Sequence, residues 1–240
     1  MNKNRIVWTD DTNVYVIRVG KTTNAKIAAP DQKVVQTYTF SRAQYELVKQ
    51  GGKITPKDFF ALDGSNCLDC PLSGSSGNGK CYTHKYMQFS GFLSMLRSIA
   101  KTHDTLPPRL DAVSRATIMK WCVDSYVRFG TYGEPSLLPI ELVGDMVLDT
   151  KSWTGYTHQA RKPWAQKYKA YFMASAHSDK EAASMTGWRS FIAYDPKTST
   201  SDAVTCPASK EAGYKSICSK CSLCSGVVGK GSTNIKIQAH

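Results

Sequence analysis

The chain predicts a mixed α/β fold, a partial (βα) barrel preceded by a small β-rich region. Two patterns predict it. From about residue 108 to 194, segments of helical period alternate with short apolar runs, as parallel strands covered by helices do. Repeated right-handed crossovers then curl such a sheet toward a full or partial barrel. The second is punctuation: seven of the eight cysteines fall into two tight sets flanking this stretch, which marks the flanks as ligand-bearing loops.

Taken in order, residues 1–55 read as the β-rich region. Residues 5–8 and 14–18 are strands joined by a turn at Asp10-Asp11-Thr12-Asn13, and residues 34–40 are a third strand ahead of a helix over 42–49. Residues 56–226 form the α/β domain with its cysteine loops. The run Gly74-Ser75-Ser76-Gly77-Asn78-Gly79 is turn-rich, and a helix follows over about 86–100. A helix over 108–121 takes Pro108 in its first turn and leads into a strand over 125–129 that ends at Gly130. Helices over 137–148, 160–169 and 179–185, the last capped by Ser178, alternate with strands over 152–156, 171–175 and 188–194. Residues 227–240 are a Gly- and Ser-rich tail with a final strand over 234–238, placed at a sheet edge.

Parallel sheets present their ligand sites at strand C-terminal ends. The loops after these strands carry Gly130-Thr131-Tyr132-Gly133-Glu134-Pro135, then Gly155 to Gln159, then Ser175 to Asp179. This topology gathers Arg128, Tyr132, Gly133, Glu134, His158 and His177 on one face as a cofactor-binding pocket, with Arg128 paired to Glu134. Each polar residue taken alone reads equally well as a turn or a helix cap.

The cysteines carry the chemistry. Cys218, Cys221 and Cys224 come at two-residue gaps, and Cys206, followed by Pro207, arrives from a distance. Such a run suits a cubane [4Fe-4S] cluster, because three thiolates of one loop reach three irons and a remote Cys closes the fourth corner. Zinc more often takes two separated pairs. Cys67, Cys70 and Cys81 form the second set, and two readings stay open for it. Either His84 completes a Cys3His zinc site, or the three thiolates hold a cubane with one iron free for a ligand. Cys122, among apolar neighbours, reads as a packed core thiol.

Composition bounds the rest. Against 19 acidic residues stand 31 Lys and Arg, a formal net charge of +12, which favours polyanions such as nucleic acid. The basic residues are dispersed, so a solubilising surface explains the same number. No apolar stretch reads as a membrane span and the polar start reads as no secretory segment, so a soluble protein with reduced thiols is expected. A Ser-His-Asp order, a phosphate-binding glycine loop and a His-Glu zinc-protease motif are all missing, which disfavours hydrolases.

Several long strings occur together: Arg128-Phe-Gly-Thr-Tyr-Gly-Glu-Pro135, Trp153-Thr-Gly-Tyr-Thr-His-Gln159, Met173-Ala-Ser175, Gly187-Trp-Arg189, Cys206-Pro-Ala-Ser209 and Cys218-x2-Cys221-x2-Cys224. In this order, over roughly residues 62 to 226, the chain resembles the phage gene-product eighty-eight family, a radical-SAM-like group. The resemblance implies a radical-SAM-like partial barrel, at least one iron-sulfur cluster and a setting in the cytoplasm of an infected host cell. It further implies that S-adenosylmethionine binds near Gly133 and Glu134, since Tyr132-Gly133-Glu134-Pro135 is similar to the Gly-Gly-Glu-Pro strand-end motif of radical-SAM enzymes. The usual C-x3-C-x2-C loop of those enzymes is replaced here by gaps of two and ten at Cys67, Cys70 and Cys81. Two functions are therefore expected to compete: a redox or radical enzyme, and a non-enzymatic iron-sulfur protein that binds nucleic acid or a host protein.

Overall fold

A computed structural model describes residues 4–197 and 202–238; the polar residues 1–3 and the last two of the tail lie outside them. The chain runs β1 (Arg5–Thr9), β2 (Asn13–Gly20), β3 (Val34–Ser41), α1 (Arg42–Gln50), α2 (Pro56–Phe60), α3 (Gly64–Cys67), α4 (Tyr86–Thr102) and α5 (Ala112–Cys122). It continues with β4 (Tyr126–Tyr132), α6 (Ile140–Leu148), β5 (Ser152–Thr154), β6 (Tyr156–Thr157), β7 (Met173–Ala176), α7 (Asp179–Ala183), β8 (Ser190–Tyr194), β9 (Val204–Thr205), α8 (Cys218–Cys221) and β10 (Ile235–Gln238). Among the described residues the fold is mixed α/β with two five-stranded sheets. Among the described residues, no helix is long and apolar enough to cross a membrane.

Local chemistry sets most boundaries. Ser41 and Thr55 each close a capping box, with Gln44 and Asp58 as the reciprocal partners, and Pro56 occupies the first turn of α2. Ser178 caps α7 as expected, through Glu181 N. Three expectations shift. Helix α5 starts at Ala112 instead of 108, because the Asp111 carboxylate takes the Ser114 N–H and so fixes the cap there. The segment Pro163–Ala170 is a 3-10 helix. Strand β4 runs on through Gly130 to Tyr132, since Gly130 adopts φ +64° and lets the strand kink where its register with β3 shifts.

The first sheet has the order β1-β2-β3-β4-β5. Strands β1, β2 and β3 are antiparallel, and β3, β4 and β5 are parallel, so the N-terminal strands extend the sheet that carries Arg128. The second sheet, β6-β7-β8-β10-β9, is parallel throughout. Strand β10 lies between β8 and β9, so its expected edge position is corrected: Ile235 is wholly buried and pairs on both sides. Only Gly155 separates β5 from β6. A side chain there would press into Phe172 and Phe129, and its absence lets the chain step from one sheet to the other without opening the core.

Alternation along the strands divides the core. Tyr15, Ile17, Val127 and Phe129 pack against α5 and α6, with Ile118, Cys122, Leu142, Val143 and Met146. Val14, Val16, Tyr38 and Phe40 pack against α1, α2 and α4. Cys122 is the packed thiol its neighbours implied, and burial raises its pKa to about 12. A smaller cluster of Met173, Cys206, Ala208, Cys224 and Ile235 lies on the second sheet.

Candidate functional site

Two cysteine loops meet the sheets from different directions. The first begins in α3 and turns sharply after Cys67, where Leu68 takes φ +51°. Backbone bonds from Cys70 N to Cys67 O and from Ser73 N to Cys70 O wind it tightly, and Cys81 N returns to Leu72 O at 3.2 Å. Asp63, fully buried, accepts the N–H groups of Gly74 and Ser75 at 2.9 Å each and so anchors the glycine-rich segment. A side chain at Gly74 would strike the Phe60 carbonyl, which explains a glycine at that point. Asn66 docks the loop on the sheet: its Nδ2 donates to Thr39 O at 2.9 Å, and its carbonyl accepts Glu134 N at 2.7 Å.

These contacts bring Cys67, Cys70 and Cys81 within electrostatic reach of one another and of Asp63 and Glu134. Burial is the main force raising the Cys67 thiol, with Asp63, Cys70, Cys81 and Glu134 adding to it; burial also lifts Cys70 to about 12. Cys67 and Cys70, buried beside those acids, ionise only with a compensating cation. Asn66 Nδ2 lies 3.7 Å from Cys67 Sγ and Thr83 Oγ1 lies 3.1 Å from Cys81 Sγ, polar contacts suited to a thiolate. His84 is placed otherwise. Its Nδ1 meets Gly79 O at 3.0 Å, its Nε2 faces the Asp63 carboxylate at 3.7 Å, and its ring stacks on Phe60. The Nδ1 contact fixes the ring so that Nε2 faces Asp63.

The second site gathers two segments. Cys206 follows β9, with its N–H on Lys236 O of β10 at 2.8 Å. Cys218 and Cys221 bracket α8, whose first N–H groups, from Cys218 and Ser219, donate to Lys26 O and Ile27 O. Cys224 is held where Gly155 N donates to its carbonyl at 3.2 Å. Burial raises the thiols of Cys206, Cys218 and Cys224, and each is raised further by neighbouring cysteines of the set; Cys221 acts on all three. The Tyr156 hydroxyl hydrogen-bonds Cys224, and Cys218 packs against the cluster of Ile27, Ala28, Val34 and Tyr126.

Arg189 fastens this loop. Buried at the entrance to β8, it donates to Leu223 O, Ser225 O and Gly226 O on the loop and to Thr233 O ahead of β10. Its guanidinium thus satisfies carbonyls that no regular element could reach.

Between the two loops stands Arg128. Its Nη2 donates to the hydroxyl of Tyr82, the residue after Cys81, at 2.8 Å, and its charge opposes the rise in the Cys218 pKa. Burial works against that charge, but the phenols of Tyr82, Tyr126, Tyr38 and Tyr156 outweigh it, and Arg128 remains protonated. The expected Arg128–Glu134 pair is corrected. Among the described residues Arg128 makes no ion pair, and Glu134 is occupied by Ser136 N at 3.1 Å, Ser136 Oγ at 2.7 Å and His158 N at 3.1 Å. Burial raises the Glu134 pKa, and those hydrogen bonds together with Thr157 hold the rise back.

Glu134, His158 and His177 do come together at the ends of β4, β6 and β7. The two Nε2 atoms are 3.3 Å apart and the rings nearly parallel at 8°, with centroids 5.4 Å apart. The centroids are farther apart than the nitrogens, so the rings meet edge to edge and share one proton position. Burial, then His177, lowers His158 to about 4. Gly133 is required by its φ of +77° and by the Thr39 carbonyl 2.4 Å from where a Cβ would sit. Tyr132 is different: its ring packs among Phe40, Phe59, Phe60 and Phe92, and its hydroxyl accepts from Gln44. It is a core aromatic beneath the first cysteine loop, not a residue of an open pocket.

Among the described residues, no three His, Cys, Asp or Glu side chains are disposed as ligands of a single metal ion. A cubane spreads its thiolates over four irons, which is a wider arrangement. The residues that sequence reasoning passed over are Asp63, Asn66, Tyr82, Tyr156 and, as a loop anchor, Arg189. Only Arg189 carried a signal, a lone cation opening an otherwise apolar strand. Comparison of the chain with protein-family profiles, with curated proteins and with solved structures found no match.

Proposed function

We propose that the chain is an iron-sulfur protein of phage type with a radical-SAM-like partial barrel, and that its two cysteine loops serve a redox or radical enzyme. One observation carries the reading. Cys206 comes from the end of β9, and Cys218, Cys221 and Cys224 come from α8 and the turn after it, yet the four lie within one another's electrostatic reach at a site fastened by Arg189. An all-sulfur donor set of this kind fits a [4Fe-4S] cluster, with these four as its ligands. Such a cluster supplies one-electron chemistry when bound. All eight cysteines are unpaired, which suits the reducing cytoplasm of an infected cell.

Cys67, Cys70 and Cys81 are the ligands of a second centre in this reading, and S-adenosylmethionine would bind beside it near Gly133 and Glu134. The Glu134 carboxylate accepts from Ser136 N, Ser136 Oγ and His158 N with Thr157 beside it, and an ammonium group would meet it as a charge partner. Arg128 supplies positive charge between the centres. His158 and His177 hold a transferable proton at the neighbouring strand ends.

The test is an anaerobic absorption and electron paramagnetic resonance spectrum of the purified protein, with iron and acid-labile sulfide counted. Brown protein carrying about four irons per centre is expected. Replacing Cys218 and Cys221 by Ala removes one centre and its share of iron; unchanged iron and sulfide would reject the assignment. Release of 5'-deoxyadenosine from S-adenosylmethionine separates the radical enzyme from a non-enzymatic cluster protein.

A further inference from the structure

A groove of about 900 Å³ lies between α4 and the segment leading into α2, lined by three cations and no acid: Lys53, Arg97 and Lys101. Its floor is apolar, with Ile54, Phe89 and Leu93, and the hydroxyls of Ser90, Ser94 and Ser98 line one wall at helical spacing. Helix α4 contains no Asp or Glu over all 17 residues. Arg97 and Lys101 are one turn apart, about 6 Å along the axis.

The positive charge extends past the groove. Arg5 Nη2 donates to Ser98 Oγ at 3.1 Å, and Arg18 is the cross-strand partner of Arg5 in the β1–β2 register. Like charges directly opposite on a sheet repel, and burial followed by Arg18 lowers the Arg5 pKa. Among the described residues none of these five cations forms an ion pair. Asp58, the acid next to the lining residue Thr55, has its carboxylate on the Thr55 hydroxyl and N–H. A fold that concentrates cations without acids, over hydroxyl donors and an apolar floor, has the composition of a phosphate-binding surface.

We infer that this groove binds the phosphodiester backbone of single-stranded nucleic acid, with Arg97 and Lys101 on successive phosphates, Lys53 opposite them and the floor against sugars or bases. A single strand is favoured over a duplex because the cations line an indentation, whereas duplex reading needs a raised element to enter a groove of the nucleic acid. The inference requires no metal and stands or falls separately from the cluster.

The experiment measures fluorescence anisotropy of a labelled twelve-nucleotide oligothymidylate with the full chain, over a series of salt concentrations. One variant carries Lys53→Gln, Arg97→Gln and Lys101→Gln. A control carries Lys180→Gln, Lys197→Gln and Lys210→Gln, exposed lysines elsewhere with the same change of net charge. Each single-strand phosphate contact contributes about 0.7 to the log–log salt slope, so the groove variant is expected to bind about 100-fold more weakly at 0.1 M salt with a slope lower by about 2. The control should stay within about threefold of the parent. Equal loss in both variants would show that total charge alone attracts the strand and would overturn the site. So would absence of saturable binding by the parent, or equally tight binding of a duplex of the same length. Arg97→Gln alone, expected to lose about fivefold, keeps the test valid if the triple variant misfolds.

Discussion

Gly155→Ala tests the step between the two sheets. An alanine Cβ would stand 2.5 Å from Phe172 Cδ1, 3.0 Å from Phe172 Cε1 and 3.1 Å from Phe129 Cβ. Both phenylalanines are almost wholly buried and their rings are 5.2 Å apart, so neither has free space to move into. Overpacking of this kind costs about 1–3 kcal/mol. Gly155 lacks a positive φ, so the alanine backbone is unstrained and the loss of unfolded-chain freedom returns about 0.4–1 kcal/mol. The net expectation is a loss of about 1–2 kcal/mol, or about 2–8 °C in melting temperature for a domain of this size. Urea unfolding followed by circular dichroism should show a lower midpoint with an unchanged slope. Phe172→Leu removes the ring edge that the methyl strikes, so the double variant should be coupled by at least about 0.5 kcal/mol. Unchanged or increased stability of Gly155→Ala, or strict additivity with Phe172→Leu, would refute the argument.

Arg189→Lys keeps the charge but loses the planar fork that reaches Leu223, Ser225, Gly226 and Thr233; it should cost about 2–4 kcal/mol and speed amide hydrogen exchange over residues 223–226. Equal exchange in that loop would remove Arg189 from its anchoring role. His158 should impose a pH dependence. Its folded pKa of about 4 lies below the unfolded value of 6.5, so between those limits the unfolded state binds more protons. Stability is therefore full above about pH 6.5 and falls as the pH drops toward 4, by at most about 3 kcal/mol. Denaturant titrations of His158→Gln at pH 7 and pH 4.5 should lack this component; an identical pH profile in parent and variant would contradict it.

Strand and helix placement was legible because it is local. Runs of β-branched and aromatic residues wrote β1, β2 and β3 into the sequence, and Ser178 marked a helix start through a bond that spans three residues. The start of α5 was misread because Pro108 and Asp111 are both good first-turn signals, and only the bond from Ser114 N to Asp111 chooses between them. The position of β10 was not legible at all: a four-residue strand in which Ile alternates with Lys and Gln reads alike at an edge or between neighbours, and β9 covers it through pairing with residues some thirty positions away.

The cysteine spacing by itself determined which residues belong to which set, because a short loop limits how far its own thiols can separate. The order of strands and loops likewise put Glu134 and His158 at strand ends that meet, although β4 and β6 belong to different sheets. Tertiary structure alone decided the rest. It turned His84 toward Asp63 and Gly79, put Tyr132 into the aromatic core, left Arg128 among four phenols instead of on Glu134, and set Arg189 beneath the second loop. The physical reason is the same in each case. A side chain's partner is chosen by competition among every group within a few ångströms, and that neighbourhood is assembled from segments whose distance along the chain no local pattern encodes.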